Sequence, residues 1–278
     1  MSANTALQEF RIYGNQLTGS IPSLTTNTQL TVFFMHANRL TGTIPSLTTN
    51  TLLQQMYVDS NLLTGSIPSL TTNTALTIFL CHDNRLTGSI PSLTTNTLLG
   101  TFQCYTNQLT GSIPSLATNT ALTVFNCYNN QLTGSIPSLT TNTLLTNFLC
   151  YSNQLTGSIP SLTTNTALTN FNCDTNQLTG SIPSLSANTA LTIFNCRNNQ
   201  LTDFAGGSVS ITLGDFNAQN NLLTQAAVDA ILAAFVAAGR NSGTRILNLG
   251  GTGNATPSAT GLADVATLVS RGWTVTTN

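Results

Sequence analysis

The sequence contains no lysine, and charged residues of either sign make up only 5% of its 278 residues. All seven basic residues are arginines, and the formal net charge is −1. A chain this neutral lacks the basic patch that phosphate backbones and anionic bilayers attract, so nucleic acid is excluded as a partner. No apolar run approaches the ~20 residues of a membrane-spanning helix, which excludes membrane insertion. The start, Met1-Ser-Ala-Asn-Thr-Ala-Leu7, has no basic stretch leading into an apolar one, so no secretory signal is read there. No Ser or Cys nucleophile stands outward beside a base and no carboxylates pair, so no catalytic residue is assigned. No cofactor or metal is expected either. With ionic side chains this scarce, Thr, Ser and Asn must cover the surface.

What the chain has instead is a repeat. Asn15, Asn38, Asn61, Asn84, Asn107, Asn130, Asn153, Asn176 and Asn199 follow one another in steps of 23 residues. Between them runs LTGSIPSL, from residues 17–24 to residues 178–185, with Thr43 the one departure. Eight of the nine prolines belong to this phrase. A fixed period of this length is the mark of stacked coils.

One coil assigns the roles. In Leu122-Thr-Val-Phe125-Asn-Cys127-Tyr-Asn-Asn130-Gln-Leu132, Phe125 and Cys127 alternate with Asn126 and Tyr128, the period of a strand with one face buried. Asn130 follows the strand, where its amide can satisfy backbone groups of a turn. Gly134 allows a backbone that residues with a Cβ resist. Pro137 argues against a helix on the back of the coil. The segment resembles the leucine-rich-repeat consensus LxxLxLxxNxL, with Phe and Cys in two Leu places. The IPSL phrase resembles plant-type repeats, and NTALTxFxC looks like bacterial surface repeats. The resemblance covers residues 2–223. It implies an α/β horseshoe, mostly β: a right-handed solenoid with a parallel concave sheet.

Two inward columns follow from the register. Phe10, Phe33, Met56, Phe79, Phe102, Phe125, Phe148, Phe171 and Phe194 form one, with coils about 4.8 Å apart. Cys81, Cys104, Cys127, Cys150, Cys173 and Cys196 form the other, where Ile12, Met35 and Val58 stand earlier. Interchange with Ile, Met and Val marks a packing site, so a ladder of buried thiols is expected. Disulfides between neighbouring coils remain open, although both Cβ atoms would point the same way. Similar ladders belong to internalin-like adhesins, by resemblance.

After residue 223 the composition shifts, giving a solenoid over 1–223 and a helix-strand-helix-strand cap over 224–278. Thr224 caps a helix to Ala238 with Val228, Ile231, Leu232, Phe235 and Val236 on one face, ended by Gly239. Arg245–Leu249 reads as a strand. Thr256-Pro257 starts a second helix, with Leu262, Val265, Leu268 and Val269 inward and Gly272 at its end. Trp273–Thr277 is a last strand. The segment resembles caps of bacterial and tailed-phage repeat proteins. At the other end, Ser2–Leu7 repeats Ser186–Leu191 verbatim. The chain therefore begins in mid-repeat, either as a fragment or with its first coil covered by a further repeat segment or a partner chain.

The copies differ at outward strand positions. Four residues before each Asn stand Arg11, Phe34, Tyr57, Leu80, Gln103, Asn126, Leu149, Asn172 and Asn195. Two before stand Tyr13, His36, Asp59, His82, Tyr105, Tyr128, Tyr151, Asp174 and Arg197. The residue just before the Asn also varies. Tyr, Asn, Arg and His on a rigid sheet are what recognition surfaces favour. Drift would also have altered the Thr and Ser of the opposite side, which hardly change. Tyr105, Tyr128 and Tyr151 form a ring ladder suited to a sugar face or a protein, or to pairing across strands. His36 and His82 lie roughly 9.6 Å apart, too far to share an ion.

The expected function is non-enzymatic adhesion, with a cell-surface glycan or protein receptor as partner. The setting is extracellular, on a cell or virion surface, in a bacterial or phage tail-associated protein. The rival is ice. Thr-Asn-Thr recurs from 26–28 to 164–166, and if extended it resembles the TxT arrays of solenoid antifreeze proteins. Otherwise its Asn caps a turn.

Overall fold

A computed structural model describes residues 3–278. Met1 and Ser2, where the reading of no secretory signal and the verbatim repeat both begin, lie outside them. The chain divides into two compact units, the first ending at Thr133 and the second running from Gly134 to Asn278.

The first unit is a stack of coils, each contributing one short strand. The strands are β1 (Glu9–Arg11), β2 (Val32–Phe34), β3 (Gln55–Tyr57), β4 (Ile78–Leu80), β5 (Thr101–Gln103) and β6 (Val124–Asn126). Each pairs with the next in parallel, with Phe10 opposite Phe33 and Phe102 opposite Phe125. A step of 23 residues thus equals one strand in the sheet, which is why the inward columns stay in line. Phe79, Phe102 and Phe125 are fully buried and stack with centroids 5.7 and 5.6 Å apart.

Two asparagines per coil tie the stack together. The Asn after the strand reaches in both directions. In Asn107, Oδ1 accepts from Leu86 N–H at 2.8 Å, while Nδ2 donates to the carbonyls of Cys81, Cys104 and Tyr105 at 3.1–3.2 Å. The Asn of Thr-Asn-Thr was not expected to link coils, yet it is fully buried. Asn73 Nδ2 donates to Leu47 O at 3.0 Å and Asn50 O at 2.8 Å, both in the preceding coil. Both amide hydrogens face carbonyls, so the flipped orientation is ruled out. The Thr-Asn-Thr segments are therefore paired turns around a buried asparagine, not extended strands.

The second unit continues the pattern with β7 (Asn147–Leu149), β8 (Asn170–Asn172), β9 (Thr179–Ile182), β10 (Ile193–Asn195), β11 (Gln200–Phe204) and β12 (Asp215–Asn217). β9 and β11 pair with each other on the far side of the coil. Then come α1 (Gln225–Ala238), β13 (Ile246–Asn248), α2 (Ala259–Ser270) and β14 (Thr274–Thr276). The main sheet runs β7-β8-β10-β12-β13-β14, all parallel where paired. Residues 224–278 thus add two strands to the sheet of the coils. Its Phe column, Phe171, Phe194 and Phe216, ends edge-on against Phe235 of α1, which meets Trp273 in the same way.

Thr224 caps α1, accepting from Ala227 N–H, and Gly239 closes it at φ 70°. α2 begins later than the Thr256-Pro257 expected. Ser258 is its cap, accepting from Gly261 N–H, because Asp229 Oδ1 takes the Ser258 N–H at 3.0 Å and holds the chain out of the helix. Its buried face is also narrower than the sequence pattern suggests. Leu268 and Gly261 are buried, but Leu262 and Val269 are exposed.

The Phe column gives a direct test. Phe125→Ala removes a fully buried ring and should cost ~3–5 kcal/mol. Tyr128→Ala, in the same coil but half-buried, should cost clearly less. Urea denaturation midpoints that reverse this order would refute the inward and outward assignment.

Candidate functional site

The outward side of the sheet is set by the same alternation that buries Phe and Cys. Three columns face outward in each coil, and the sequence reading found only the two nearest the Asn. The third is the first residue of each strand, such as Glu9, Val32, Gln55, Ile78, Thr101 and Val124 in the first unit. Counting back by two from the outward residue after the Phe, as from Asn126 to Val124, would have found it.

The position just before each Asn has a different explanation from the one its variation suggested. Ala37, Ser60, Asp83, Thr106 and Asn129 all sit at φ 50–54°. This left-handed turn costs a residue with a Cβ roughly 1–2 kcal/mol, least for Asn and Asp. Asp83 and Asn129 suit this backbone, while Ala37, Ser60 and Thr106 adopt it at a cost.

In the first unit the variable outward columns assemble into two aromatic clusters. Tyr13 stacks on His36 at 4.6 Å and 9° between planes. Phe34 stacks on Tyr57 at 4.0 Å, and His36 meets Phe34 edge-on. The Arg11 guanidinium lies 4.6 Å above the Phe34 ring while Nε pairs with Glu9 at 3.0 Å. Further along, His82 stacks on Tyr105 at 4.1 Å and Tyr105 on Tyr128 at 4.3 Å. Rings one coil apart must stack, since the coil spacing is close to the thickness of stacked aromatics.

Asp59 separates the clusters. His82 Nε2 lies 3.6 Å from Asp59 Oδ2, and Nδ1 lies 3.0 Å from Asp83 Oδ2, so one imidazole spans two carboxylates. Burial, with the nearby Asp59 charge, raises the Tyr57 hydroxyl above its ordinary pKa, opposed by Arg11. Its phenol stays a neutral donor. No group of three His, Cys, Asp or Glu among the described residues could hold a metal ion.

Several expected contact residues are packed inside the protein rather than offered outward. Phe34 and Asp59 are each 7% exposed, Asn126 is 9% and Asp174 is 5%. Neighbouring coils sit so close that a short or flat side chain is covered by the longer ones beside it. Gln103 is half-buried on β5. Tyr13 is 52% exposed and marks the most accessible ring.

The second unit places Tyr151, Asn172, Asp174, Asn195 and Arg197 in the corresponding positions. Here the face is neutralised from within. Arg197 Nε donates to Asp174 Oδ2 at 2.9 Å, Asn172 Oδ1 accepts from Asp174 N–H and Asn195 Oδ1 accepts from Arg197 N–H. These side chains are spent on holding one another.

The uniform Ser and Thr of the opposite side also have work of their own. Ser69 Oγ and Thr71 Oγ1 are 3.0 Å apart, and Thr64 Oγ1 donates to Gly42 O across coils. Their invariance between copies therefore has a structural cause. Gly65, at φ 72°, could not carry a Cβ, which would come within 2.8 Å of Thr43 Cγ2.

The 23-residue coils, parallel strands and asparagine turns define a leucine-rich-repeat solenoid. No family model matches the chain, and no curated protein matches its sequence. Solved structures do. The Arabidopsis receptor kinase HAESA, in complex with the peptide hormone IDA and a co-receptor, aligns with a TM-score of 0.77 and 26% identity, over 91% of this chain and 42% of that one. The functional domain of InlJ from Listeria monocytogenes, which includes a cysteine ladder, aligns at 0.55 and 20% identity, over 93% and 67%. A plant ice-binding protein aligns at 0.53 and 22%, over 73% and 67%. The chain spans under half the length of the HAESA chain it matches.

The cysteines of this chain form such a column. All six are buried and none is in a disulfide. Burial, reinforced by the neighbouring thiols or Asp side chains, holds Cys81, Cys104, Cys127, Cys173 and Cys196 far above the ordinary thiol range. The folded protein keeps them protonated, whereas unfolded thiols ionise from about pH 8.5. A raised folded pKa gives stability that is complete below that pH and lost as pH climbs past it. Native protein should therefore label slowly with a thiol reagent at pH 8 and rapidly in denaturant. Its urea midpoint should fall between pH 8 and pH 10. Fast native labelling, or a midpoint that rises with pH, would contradict the buried-thiol column.

Proposed function

We propose that the chain is a non-enzymatic recognition module that binds a cell-surface receptor through the outward sheet face of its first unit. The observation that carries this reading is the pair of stacked ring clusters. One is built on Tyr13, Phe34, His36 and Tyr57 and flanked by Arg11, and the other runs through His82, Tyr105 and Tyr128. Stacked rings with hydroxyl and imidazole edges give a rigid surface, and rigidity lowers the entropic cost of binding. A protein or peptide is the partner this surface suits best, because its two ring clusters alternate with charged groups. The HAESA structure, a complex with a peptide hormone, gives the same reading support. A glycan seated on the rings is the other form of the same reading.

The setting we propose is extracellular, on a bacterial or virion surface. An exterior of Thr, Ser and Asn, with charge at 5%, fits that setting. No helix of the described residues is long and apolar enough to cross a membrane. The helix-strand-helix-strand segment 224–278 would serve as a cap on the coils of the second unit.

Ice binding keeps one observation of its own, though not on Thr-Asn-Thr. The Thr and Ser of the LTGSIPSL phrase bridge successive coils in parallel, as Ser66 with Thr87 and Ser89 with Thr110, and stand exposed. They form an uncharged hydroxyl rank at the coil spacing.

A double variant, Tyr105→Ala with Tyr128→Ala, separates these readings. It should remain folded and lose receptor binding on a cell-surface array, at about 2 kcal/mol or more for a stacked anchor. Loss of activity in an ice-recrystallisation assay on changing Thr87 and Thr110 to Lys, with the Tyr variant harmless, would transfer the assignment to ice.

A further inference from the structure

A cavity of about 420 Å³ opens in the second unit where the last coil meets the segment after α1. We propose that it is a saccharide site for one neutral sugar ring, separate from the aromatic face. Its size lies within the range of ligand pockets, roughly 300–1,000 Å³.

Its chemistry is set by two charges that line the same space without pairing. Asp215 opens β12 and lies beside Ile193 in the sheet register. Among the described residues its carboxylate has neither a hydrogen-bond nor an ion-pair partner. Partial burial raises its pKa, as expected for a carboxylate short of donors.

Arg240 faces the same cavity from the loop after α1. Its Nε donates to Thr244 O at 3.2 Å and its Nη1 to Ile211 O at 2.6 Å. Its own carbonyl accepts from Trp273 Nε1. The guanidinium is thus fixed as a wall, with Nη2 left over. Gly214 makes room for it, since a Cβ there would come within 2.8 Å of Nη2 and collide with the Thr244 carbonyl.

The site therefore offers an acceptor that lacks donors and a fixed donor. Thr192, Thr212, Thr244 and the apolar Ile193 complete the lining. A simple anion meets Asp215 and a simple cation meets Arg240, each at a cost. Adjacent sugar hydroxyls donate to the carboxylate and accept from Nη2 together, while the C–H face of the ring covers Ile193. Asp215 and Arg240 play no part in the ring clusters, so this site stands or falls independently of the receptor reading.

The test is titration of the full chain with the methyl glycosides of glucose, galactose and N-acetylglucosamine, followed by saturation-transfer NMR. At least one should bind at millimolar concentration. Asp215→Asn should weaken it about tenfold or more, as expected for a hydrogen bond to a charged group, with an unchanged melting temperature. Thr244→Val should weaken it less. The Tyr105→Ala/Tyr128→Ala variant should bind as the parent does. The proposal is overturned if none of the glycosides binds, or if Asp215→Asn binds equally well. It is also overturned if free glycine competes at the same concentration, since that would mark a zwitterion site.

Discussion

Each coil is held to the one before it by asparagine side chains, and the remaining features of the fold follow from that spacing. Backbone pairing between coils extends beyond each three-residue strand, as Cys81 N–H to Gln103 O at 2.9 Å and Thr87 N–H to Gly65 O at 2.8 Å. The amides add side-chain ties at two further corners, where the backbone turns. Asn96 alone donates to Leu70 O and Asn73 O, from a position with no exposed surface. The arrangement has a cost. The Oδ1 atoms of Asn50, Asn73 and Asn96 are buried without a partner, and a buried carbonyl left so typically loses about 1–3 kcal/mol. Two donors aimed at two carbonyls of the neighbouring coil offset it, and they recur without interruption.

Fixing the coil spacing fixes the surface as well. Outward side chains stand close enough that aromatic neighbours stack, and short ones such as Asp59 sink between them. The face is thus sorted by size. Tyr13 and Arg11 reach solvent, His36 and Tyr57 do so in part, and Phe34, Asn126 and Asp174 are covered. A variable face on an invariant stack lets partner choice change without disturbing stability, because the columns that carry stability point the other way. The second unit spends its polar residues on internal pairs, which is why the recognition proposal rests on the first unit.

The architecture was legible because it is periodic. The Phe and Cys columns and the turn asparagines could be placed by counting, since a constant period converts sequence position directly into spatial position, whereas the two later helices were read from their capping residues and apolar faces, α2 starting later than expected. The buried role of Asn73 and its equivalents was not legible. A Thr-flanked Asn looks like surface, and only the turns on either side point its amide inward. The depth of Phe34 and Asp59 escaped for a similar reason, since exposure there depends on which side chains occupy the neighbouring coils. The Asp215 and Arg240 cavity could not be read at all. It arises from a loop folding back over the sheet, a contact that has no period.

The central claim is that the buried asparagines stabilise the stack through their hydrogen bonds, not through the volume they fill. Asn96→Leu keeps the size and removes both donors. Urea denaturation, set beside the exposed neighbour substitution Thr95→Ala, measures the difference. The account predicts a loss of about 2 kcal/mol for Asn96→Leu, at about 1 kcal/mol for each bond, and little change for Thr95→Ala. An Asn96→Leu protein as stable as the parent, or more stable, would contradict it.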